Sequence, residues 1–370
     1  MMTETFTCCH CGQPHPLESL IPVGDDELCE RCANEETVIC SHCGERIYRD
    51  DQAGDENTPL CQSCYDRYYT VCDRCGRIIH TSDAYYEDED DDYPVCHRCY
   101  GRVARCSTIQ DYYYKPEPQF RGAGVRYFGV ELEIDGAGED NESARQLMEI
   151  ANGNGRENLY CKHDGSLEDG FELVTHPMTL DYHMQKMPWE RILRAAVHLG
   201  YTSHQAATCG LHVHVNRDAF GDTEEARDAV IARILYFFEK NWEELLKFSR
   251  RTPRQLERWA ARYGYKDQPK DLLDHAKKGC HQGRYTSVNL TNRDTIEFRI
   301  FRGTLKYNTL IATLQLLDRI CDVALFLSDE EMKALSWTTF VSGCTQPELV
   351  QYLKERQLYV NDPVESEEEV

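Results

Sequence analysis

Six Cys-x-x-Cys pairs within the first hundred residues constrain the fold of this chain more than any other feature of its sequence. The pairs recur with a period of 32 residues, because Cys8, Cys40 and Cys72 each open an equivalent repeat. Within a repeat the two pairs are separated by 17, 17 and 20 residues in turn, and seven residues separate successive repeats. This regular spacing predicts three copies of one small structural unit, each with four cysteines.

Four thiolates supplied by two Cys-x-x-Cys turns match the tetrahedral coordination of zinc. A repeat this small cannot bury a sufficient apolar core, so we expect metal binding to provide its folding free energy. A glycine follows the first pair of each repeat (Gly12, Gly44, Gly76), where the turn of a zinc knuckle favours a positive φ. The sequence therefore predicts three zinc ribbons over residues 1–106. Their three structural zinc ions would be bound by Cys8, Cys11, Cys29, Cys32, Cys40, Cys43, Cys61, Cys64, Cys72, Cys75, Cys96 and Cys99.

Several details of these sites stay open at the level of sequence. Cys9 is an alternative to Cys8 as the first ligand, although the 32-residue period favours Cys8. Pairing within each repeat is favoured over pairing between repeats, because each repeat contains both kinds of pair. Redox-active thiols or disulfides fit six regular pairs less well. The region resembles LIM-like zinc ribbons, but its seven-residue spacers are too long for a LIM domain.

Much of the negative charge of the chain lies in this cysteine-rich arm. Residues 1–106 contain 22 Asp and Glu against nine Arg and no Lys, a net charge of −13 out of −23 for the whole chain. Nucleic-acid affinity depends on neutralising phosphates, so this arm is not expected to bind nucleic acid. It favours a basic protein partner instead. The acidic run 87–92 is expected to be a solvated loop, and the acidic residues 361–370 a disordered tail.

The cysteines also bear on the compartment in which the protein works. Nothing in residues 1–7 resembles a secretory signal, and no apolar stretch approaches the roughly 20 residues that span a bilayer. We therefore expect a cytoplasmic protein without membrane association, whose reduced cysteines bind metal. The cysteines outside the pairs are expected to be buried apolar groups, and Cys209 is notable because it precedes a histidine-rich strand. They are Cys106, Cys161, Cys209, Cys280, Cys321 and Cys344.

Residues 107–124 have the Pro- and Gly-containing composition of a linker, and a second domain is predicted over residues 125–360. Alternating patterns predict strands at 125–134, 171–175, 211–215, 284–290 and 295–301, the last two joined as a hairpin. Helical periodicity and end signals predict helices at 141–152, 182–199, 223–248 and 305–327, with another starting at 252–253. This order of elements indicates an α+β fold in which helices cover an antiparallel sheet.

The polar faces of four of these strands carry the candidate functional residues. They are Glu131 and Glu133, then Glu172, then His212 and His214, then Glu297 and Arg299. Carboxylates that share one sheet face repel one another, and divalent cations such as Mg²⁺ or Mn²⁺ would relieve that repulsion. The planar guanidinium groups of Arg284, Arg299 and Arg302 suit phosphate oxygens. Together these groups predict a nucleoside triphosphate site for phosphoryl transfer, although the chain has no Walker loop.

These motifs, in this order, resemble the amidoligases, a family of carboxylate–amine ligases in the same superfamily as glutamine synthetase. The motifs are 128–133 (FGVELE), Lys162-x-Asp164-Gly165-Ser166, 171–177 (FELVTHP), 209–215 (CGLHVHV), Arg284-Tyr285 with Asn289, and 295–304 (TIEFRIFRGT). The resemblance covers about residues 125–310 and leaves the cysteine-rich arm outside. It implies a glutamine synthetase-like catalytic domain.

The resemblance also implies roles for individual residues. The ligands of the Mg²⁺ or Mn²⁺ ions would be Glu131, Glu133, Glu172, His212 and Glu297. The residues near the bound ATP would be His214, Asp164, Ser166 and Asn289. The residues that stabilise phosphate and acyl-phosphate charge would be Arg299, Arg284 and Arg302.

The implied reaction is the ATP-dependent formation of an amide through an acyl phosphate, on peptide or protein substrates that the acidic arm would recruit. Two other interpretations stay open. A metal-dependent hydrolase is one, because His-x-His with carboxylates also suits water activation. The other is an interaction scaffold with an inactive ligase domain. The sequence does not identify the acid, the amine, the base that deprotonates the amine or the oligomeric state.

Overall fold

The structure is a computed structural model that describes residues 5–16, 19–86, 93–100, 108–153, 155–278 and 283–360. The chain divides into two compact units, residues 1–104 and 105–370. The predictions for the acidic loop 87–92, the tail 361–370, Cys106 and Cys280 lie outside the described residues. Among the helices that are described, none is long and apolar enough to cross a membrane.

The first unit consists of two-stranded antiparallel sheets and short helices that follow the cysteine repeats. Its strands are β1 (Thr5–Thr7), β2 (Pro14–Pro16), β3 (Leu20–Val23), β4 (Asp26–Cys29), β5 (Thr37–Ile39), β6 (Arg46–Tyr48), β7 (Tyr69–Val71), β8 (Ile78–His80), β9 (Ala84–Tyr85) and β10 (Val95–Cys96). Its helices are α1 (Glu30–Glu36), α2 (Gln62–Tyr68) and α3 (His97–Tyr100). In each repeat the first cysteine pair lies in a turn between two strands, and the second pair spans the start of a helix.

Each repeat brings its four thiols into one cluster. The sulfur atoms of a cluster lie within 4.8 Å of one another, and the clusters are Cys8/Cys11/Cys29/Cys32, Cys40/Cys43/Cys61/Cys64 and Cys72/Cys75/Cys96/Cys99. In successive repeats, one Sγ–Sγ distance between the two pairs is 3.9, 3.9 and 3.7 Å. Zinc–sulfur bonds of about 2.3 Å place tetrahedral ligands about 3.8 Å apart. The clusters therefore fit zinc, and the cysteines group within repeats as the sequence favours.

The structure places Cys8 rather than Cys9 in the first cluster. Cys8 is buried whereas Cys9 is exposed, and the Cys8 sulfur accepts a hydrogen bond from the Cys29 backbone amide at 3.2 Å. Backbone amides of Cys11 and Cys29 lower the pKa of the Cys8 thiol, which favours the thiolate form that binds metal. The glycines after the first pairs have φ angles of 69°, 74° and 69° (Gly12, Gly44 and Gly76).

Little apolar surface supports these repeats besides the cysteines themselves. Besides cysteine, the buried apolar residues are Val23, Leu28 and Ala33 in the first repeat, Leu60 in the second, and Ala84, Tyr85, Val95 and Tyr100 in the third. So few buried side chains do not offset the conformational entropy that each repeat loses on folding. A bound metal would therefore contribute much of the stability of each repeat.

We predict three zinc ions per chain in protein purified without chelators, as measured by elemental analysis. Cys61→Ser removes one ligand of the second cluster, so the zinc content should fall by one ion and the second repeat should lose its protection from proteolysis. Cys9→Ser is the matched control, because its thiol is exposed and lies outside the clusters. A wild-type content of one zinc ion or none would contradict the assignment.

The second unit is built on one seven-stranded sheet. Its strands are β11 (Ile109–Gln110), β12 (Phe128–Ile134), β13 (Leu159–Lys162), β14 (Phe171–Thr175), β15 (Gly210–Asn216), β16 (Val288–Asn289) and β17 (Thr295–Arg302). They lie in the order β11-β13-β14-β12-β15-β17-β16. All neighbouring strands are antiparallel except β11 and β13.

Helices share one apolar core with this sheet, some packed on the sheet itself and others on neighbouring helices. They are α4 (Asn141–Asn152), α5 (Leu180–Gln185), α6 (Trp189–His198), α7 (Glu224–Lys240), α8 (Trp242–Ser249), α9 (Pro253–Trp259), α10 (Pro269–Lys277), α11 (Tyr307–Phe326), α12 (Asp329–Ala334), α13 (Trp337–Ser342) and α14 (Pro347–Glu355). Alternate residues of β12, such as Val130 and Leu132, are buried in one core with apolar residues of the helices. The α+β class and the mainly antiparallel sheet covered by helices are confirmed.

Two predicted helices are each divided in the structure. The range 182–199 contains α6 and most of α5, and Pro188 directly before α6 explains the break, because proline cannot continue the preceding helix. The range 223–248 contains α7 and most of α8. The chain leaves helical geometry at Asn241 (φ −107°, ψ 35°), whose side-chain amide donates to the Phe237 carbonyl at 2.9 Å. A side chain that bonds to the backbone locally competes with helix continuation.

The predicted and observed elements also differ where a strand or helix is too short to show a clear hydrophobic periodicity. The predicted strand 284–290 is reduced to β16, and the patterns do not predict β13, α10 or α12 to α14. The segment 107–124 is not a free linker throughout, because β11 pairs with β13 and the Gln119 amide donates to His176 Nδ1 at 3.3 Å. A strand of two residues has no alternation that a sequence can reveal.

Regular alternation along the predicted strand 295–301 would place Phe301 on the face of Glu297 and Arg299, but a β-bulge changes this. The register shifts between Leu211 and Val213 on β15, so that Leu211 lies opposite Phe301 and Val213 opposite Phe298. The extra residue on β17 interrupts the alternation, and Phe301 is 2% exposed in the core instead of sharing a face with Arg299. After the bulge, Arg302 lies opposite Gly210, the first residue of β15.

Candidate functional site

Strand register brings the polar residues of four strands together. β12 lies between β14 and β15, and β17 follows β15. The directly opposed pairs are Glu133 with Glu172, Glu131 with His212, and His214 with Glu297. Glu133, Glu172, His212 and Glu297 are only 3–4% exposed. The predicted polar strand faces therefore form a buried acidic centre, and not a solvated surface.

His212 lies in the middle of this acidic centre. Its Nδ1 is 3.6 Å from Glu131 Oε2 and 3.9 Å from Glu297 Oε1, and its Nε2 is 3.8 Å from Glu133 Oε1. The His212 Nδ1 atom is buried and makes no hydrogen bond within the described part of the chain. Metal–oxygen bonds of about 2.1 Å place ligand atoms about 3 to 4.2 Å apart. These separations therefore suit a shared cation better than hydrogen bonds.

The acidic centre contains two groups of potential metal ligands. Within each group, the ligand atoms lie within 4.8 Å of one another. One group is Glu131, His212 and Glu297, and the other is Glu133, Glu172 and His212. Four carboxylates with one imidazole form a hard, oxygen-rich donor set, which suits Mg²⁺ or Mn²⁺. The predicted metal ligands are thus brought together by the fold, and their assignment as ligands stays a prediction.

The first group carries its own positive counter-charges. His214 Nε2 is 3.2 Å from Glu131 Oε1 and 4.0 Å from Glu297 Oε1. Burial opposes ionisation of Glu131, but the adjacent His214 outweighs it and holds the pKa of Glu131 well below its usual value. For Glu297, burial is likewise outweighed, here by Arg299 and His214, and its pKa is lowered. Both carboxylates are therefore charged at neutral pH.

The second group is poorly compensated. Burial raises the pKa of Glu133. Burial and the charge of Glu131 raise the pKa of Glu172 well above its usual value, and Lys162 Nζ, 3.8 Å from Glu172 Oε2, offsets this only in part. Buried carboxylates without sufficient counter-charge are unfavourable. A divalent cation would supply the charge that this group lacks.

Neighbouring groups fix the orientation of Glu297. Asn289 Nδ2 donates to Glu297 Oε2 at 2.8 Å, and Asn292 Nδ2 lies 3.4 Å from the same oxygen. The other oxygen, Oε1, accepts a hydrogen bond from Arg299 Nη1. Asn289 was predicted to lie near the nucleotide, and in this structure it hydrogen-bonds to Glu297. Such contacts hold potential metal ligands in place.

Gly210 allows the centre to be this tightly packed. Its backbone amide donates to Glu133 Oε2. A Cβ atom at Gly210 would collide with the Arg251 guanidinium and the His212 ring. Any larger residue at the first position of the Gly-x-His-x-His strand would therefore displace Arg251 and His212.

The remaining predicted residues lie around the acidic centre. Arg284 is exposed, and its guanidinium carbon is 5.5 Å and 5.2 Å from the ring centres of Tyr112 and Tyr285. Asp164 lies on the loop after β13, near enough to raise the pKa values of Glu133 and Glu172. Ser166 lies on the same loop and is exposed; its backbone amide donates to Asp164 Oδ1 at 2.7 Å. The structure thus leaves Arg284 and Ser166 outside the buried group.

Sequence patterns did not assign roles to three further residues near the centre. Lys162 belongs to a quoted motif, and its alternation with Tyr160 on β13 was the available signal. Arg251 is buried on the turn after α8, where burial, despite the charge of Glu133, lowers its pKa to about 10. Tyr112 belongs to the predicted linker, and its aromatic ring lies beneath the cationic groups of Lys162 and Arg284. Neither Arg251 nor Tyr112 carries a local signal, because only tertiary folding brings them here.

Cys209 is not suited to nucleophilic catalysis. Its side chain is buried, and burial together with the charge of Glu133 raises its pKa to about 12. A thiol with that pKa is protonated near neutral pH and is a poor nucleophile. Cys161, Cys321 and Cys344 are also buried. The expectation of buried apolar cysteines is confirmed for these four.

Comparisons with known proteins support the resemblance noted in the sequence. A family model described as "Putative amidoligase enzyme" matches residues 152–321. The matched part contains Glu172, His212 and Glu297, whereas Glu131 and Glu133 precede it. The resemblance of this part of the chain to amidoligases is confirmed.

Two solved structures are similar to this chain at low identity. A bifunctional glutathione synthetase from Pasteurella multocida is 14% identical, with a TM-score of 0.34; the match covers 63% of this chain and 46% of that one. A chain from the complex between prokaryotic ubiquitin-like protein Pup and its ligase PafA is 11% identical, with a TM-score of 0.29 and coverages of 63% and 56%. The chain thus spans about half the length of these relatives. Curated protein sequences gave no match.

We predict that Gly210→Ala weakens Mn²⁺ binding to the second unit by about 10- to 100-fold, as loss of ligand orientation does elsewhere. The reason is the collision of the added methyl group with Arg251 and His212. Gly129→Ala on β12 is the matched control, because its Cβ would meet His214 Cβ at an ordinary 3.6 Å. Isothermal titration with Mn²⁺ measures the effect, and equal affinities of the two variants would contradict it.

Proposed function

We propose that this protein is an ATP-dependent ligase that joins a carboxylate to an amine. The observation that carries the proposal is the convergence of four glutamates, three of them buried and Glu131 half-buried, on His212, next to Arg299. Glutamates that lack counter-charge favour divalent cations, and adjacent arginine favours phosphate. The match of residues 152–321 to amidoligases supports the same class of reaction.

The residues that would hold Mg²⁺ or Mn²⁺ are Glu131, Glu133, Glu172, Glu297 and His212. When bound, the ions neutralise charge on the phosphate oxygens of ATP. Arg299 would add a fixed positive charge, because Glu297 orients it and its Nε is buried without a hydrogen bond to any described residue. A donor in that position is suited to a phosphoryl oxygen whose charge increases during transfer.

The proposed reaction has two steps. A carboxylate oxygen of the acid attacks the γ-phosphorus of ATP, the bond to the β-phosphate oxygen breaks, and ADP leaves. The amine nitrogen then attacks the carbonyl carbon of the acyl phosphate. The carbon–oxygen bond to phosphate breaks as the amide forms, and the amine nitrogen loses a proton to a base not identified here. Burial of the centre limits access of water, which would otherwise hydrolyse the acyl phosphate.

We predict that the protein forms ADP and a hydroxamate in equal amounts when given magnesium, ATP, hydroxylamine and a pool of glutamyl peptides. Hydroxylamine serves as the amine and traps the activated acid. Glu297→Gln keeps the side-chain shape but removes its charge, so the rate should fall at least about a hundredfold. Arg299→Lys should be similarly impaired, because lysine lacks the planar two-pronged contact to phosphate.

The control for these variants is Glu190→Gln, which changes an exposed glutamate paired with Arg194 on α6. It should retain the wild-type rate. Peptide cleavage without ATP would favour the hydrolase instead. Absence of ADP formation from the wild-type protein with every acid in the pool would favour the inactive scaffold.

We further propose that the acidic first unit recruits a basic protein or peptide substrate. Its support is charge, since residues 1–106 carry a net −13, and the metal thiolates would add more negative charge. Binding to the first unit would raise the substrate concentration near the second. The alternative is that this unit only stabilises the chain or mediates self-association.

We predict that a chain of residues 105–370 keeps hydroxamate formation with small acids but loses activity on a large basic substrate. The cut is placed at residue 105 because a cut at 118 would remove β11 and Tyr112 from the second unit. High salt should affect the full-length protein in the same way, since it screens exposed charges. Loss of small-acid turnover by a truncated but folded chain would place the first unit in the active site.

A further inference from the structure

A second polar feature of residues 105–370 is not used by the proposed reaction centre. It is a cavity of 680 Å³ bordered by the loop after α6, the turn after α8, the turn after β17 and the end of α14. Its charged and titratable lining residues are Arg250, Lys306, Arg356, His204 and Glu355. Three of these are cations and one is an acid, although the chain as a whole is strongly acidic. This excess of positive charge indicates an anionic occupant. We call this space the cationic cavity.

Arg250, which lines the cationic cavity, has an uncommon backbone conformation. Its φ of 62° lies in the left-handed region, which residues with a side chain adopt rarely. Its Nε is buried and has no hydrogen-bond partner among the described residues, while its guanidinium carbon is 5.9 Å from the Tyr352 ring centre. Arg250 therefore contributes to the cavity lining a side chain with one unused hydrogen-bond donor.

His204 has an equivalent unsatisfied atom. Its Nδ1 is buried and makes no hydrogen bond within the described residues. Burial, with the positive charges of Arg250, Arg302 and Lys306, lowers its pKa to about 4. The imidazole is therefore neutral near pH 7, and the positive charge of the cavity comes from Arg250, Lys306 and Arg356.

The cationic cavity adjoins the acidic centre through three short segments. Arg250 lines the cavity, and the next residue, Arg251, lies beside Glu133. Arg302 lies close enough to act electrostatically on both Arg251 and His204. Ser203 Oγ also donates to the Glu133 carbonyl at 2.8 Å, and the next residue, His204, lines the cavity. One segment of the cavity wall therefore contacts the backbone of Glu133.

We propose that the cationic cavity binds a second carboxylate of the acyl donor, so that the acid substrate is a polycarboxylate such as an acidic peptide. This proposal deepens the proposed function and rests on it. One carboxylate would react at the acidic centre while another is held by Arg250, Lys306 and Arg356. Carboxylate and guanidinium geometries match.

The walls of the cationic cavity favour a carbon-bearing anion over a bare phosphate. Val197, Tyr201 and Leu305 contribute apolar surface beside the cations. Methylene groups of glutamyl or aspartyl side chains can cover such surface, whereas a phosphate group has none to offer. The volume lies within the range of about 300 to 1,000 Å³ that small-ligand sites occupy, so it has room for a short peptide segment.

Fluorescence polarisation of a labelled oligoglutamate peptide tests the proposal in the full-length protein, without ATP or added magnesium. The peptide should bind, and its oligoglutamine counterpart should not. Lys306→Glu and Arg250→Gly should each weaken binding by about ten- to a hundredfold, because each removes a charge-assisted contact. Glycine adopts a φ of 62° without strain, so Arg250→Gly should fold.

The matched control is Lys270→Glu, which makes the same charge change on the exposed face of α10, away from the cavity lining. It should bind the peptide as the wild-type protein does. Displacement by citrate in preference to inorganic triphosphate supports a carboxylate site, and the reverse order overturns it. Equal binding of the glutamine peptide, or unaltered binding by both cavity variants, also overturns it.

This binding assay separates the cationic cavity from the proposed reaction. If the peptide binds as predicted but no hydroxamate or ADP forms, then the ligase proposal fails while the carboxylate site stands. If hydroxamate forms from glutamyl peptides and the cavity variants change neither binding nor the KM of the peptide, then the ligase proposal stands and the cavity assignment fails.

Discussion

The convergence of four glutamates around His212, with Glu133, Glu172 and Glu297 buried and Glu131 half-buried, is the constraint on which the second unit depends. Like charges in a low-dielectric interior repel strongly, so each carboxylate needs a partner. Glu131 and Glu297 obtain theirs from His214 and Arg299. Glu133 accepts a hydrogen bond from the backbone amide of Gly210. A register shift of one residue would bury these charges in the apolar core. The large core on the other face of the sheet therefore fixes the acidic centre in place.

The dependence of the fold on a bound metal differs between the two units. In the first two cysteine repeats the apolar core is a few residues, so a bound metal would be the main source of their stability. In the second unit, a core that extends over the sheet and its helices holds the acidic centre before any ion binds. Soft thiolates and hard carboxylates also select different ions. One chain can therefore hold a structural metal and a reactive metal without exchange between the sites.

Positive and negative groups of the second unit are distributed differently over the fold. The carboxylates lie within strands, where the sheet fixes their spacing. Arg250 and Arg251 lie on the turn after α8, and Arg302 lies at the end of β17. Besides the counter-charges Lys162, His214 and Arg299 within the strands, positive charge therefore collects near the C-terminal end of β17. A substrate with several anionic groups would be oriented by this distribution, with its reacting group toward the ions.

The sequence by itself determined the cysteine clusters, the core strands β12, β14, β15 and β17, and the polar strand positions of Glu131, Glu172, His212 and Glu297. These follow from patterns with a period of two residues or from fixed spacings, both of which are local. It did not predict the breaks at Pro188 and Asn241, which depend on competition at single residues within long apolar patterns.

Only the tertiary structure showed that the acidic centre is buried, and that Arg251 and Tyr112 approach it. It also decided the side on which Phe301 and Arg302 lie, because the β-bulge arises from pairing between β15 and β17. The cationic cavity is likewise assembled from four segments far apart in the chain. Such features depend on contacts between distant residues, and no local pattern encodes them.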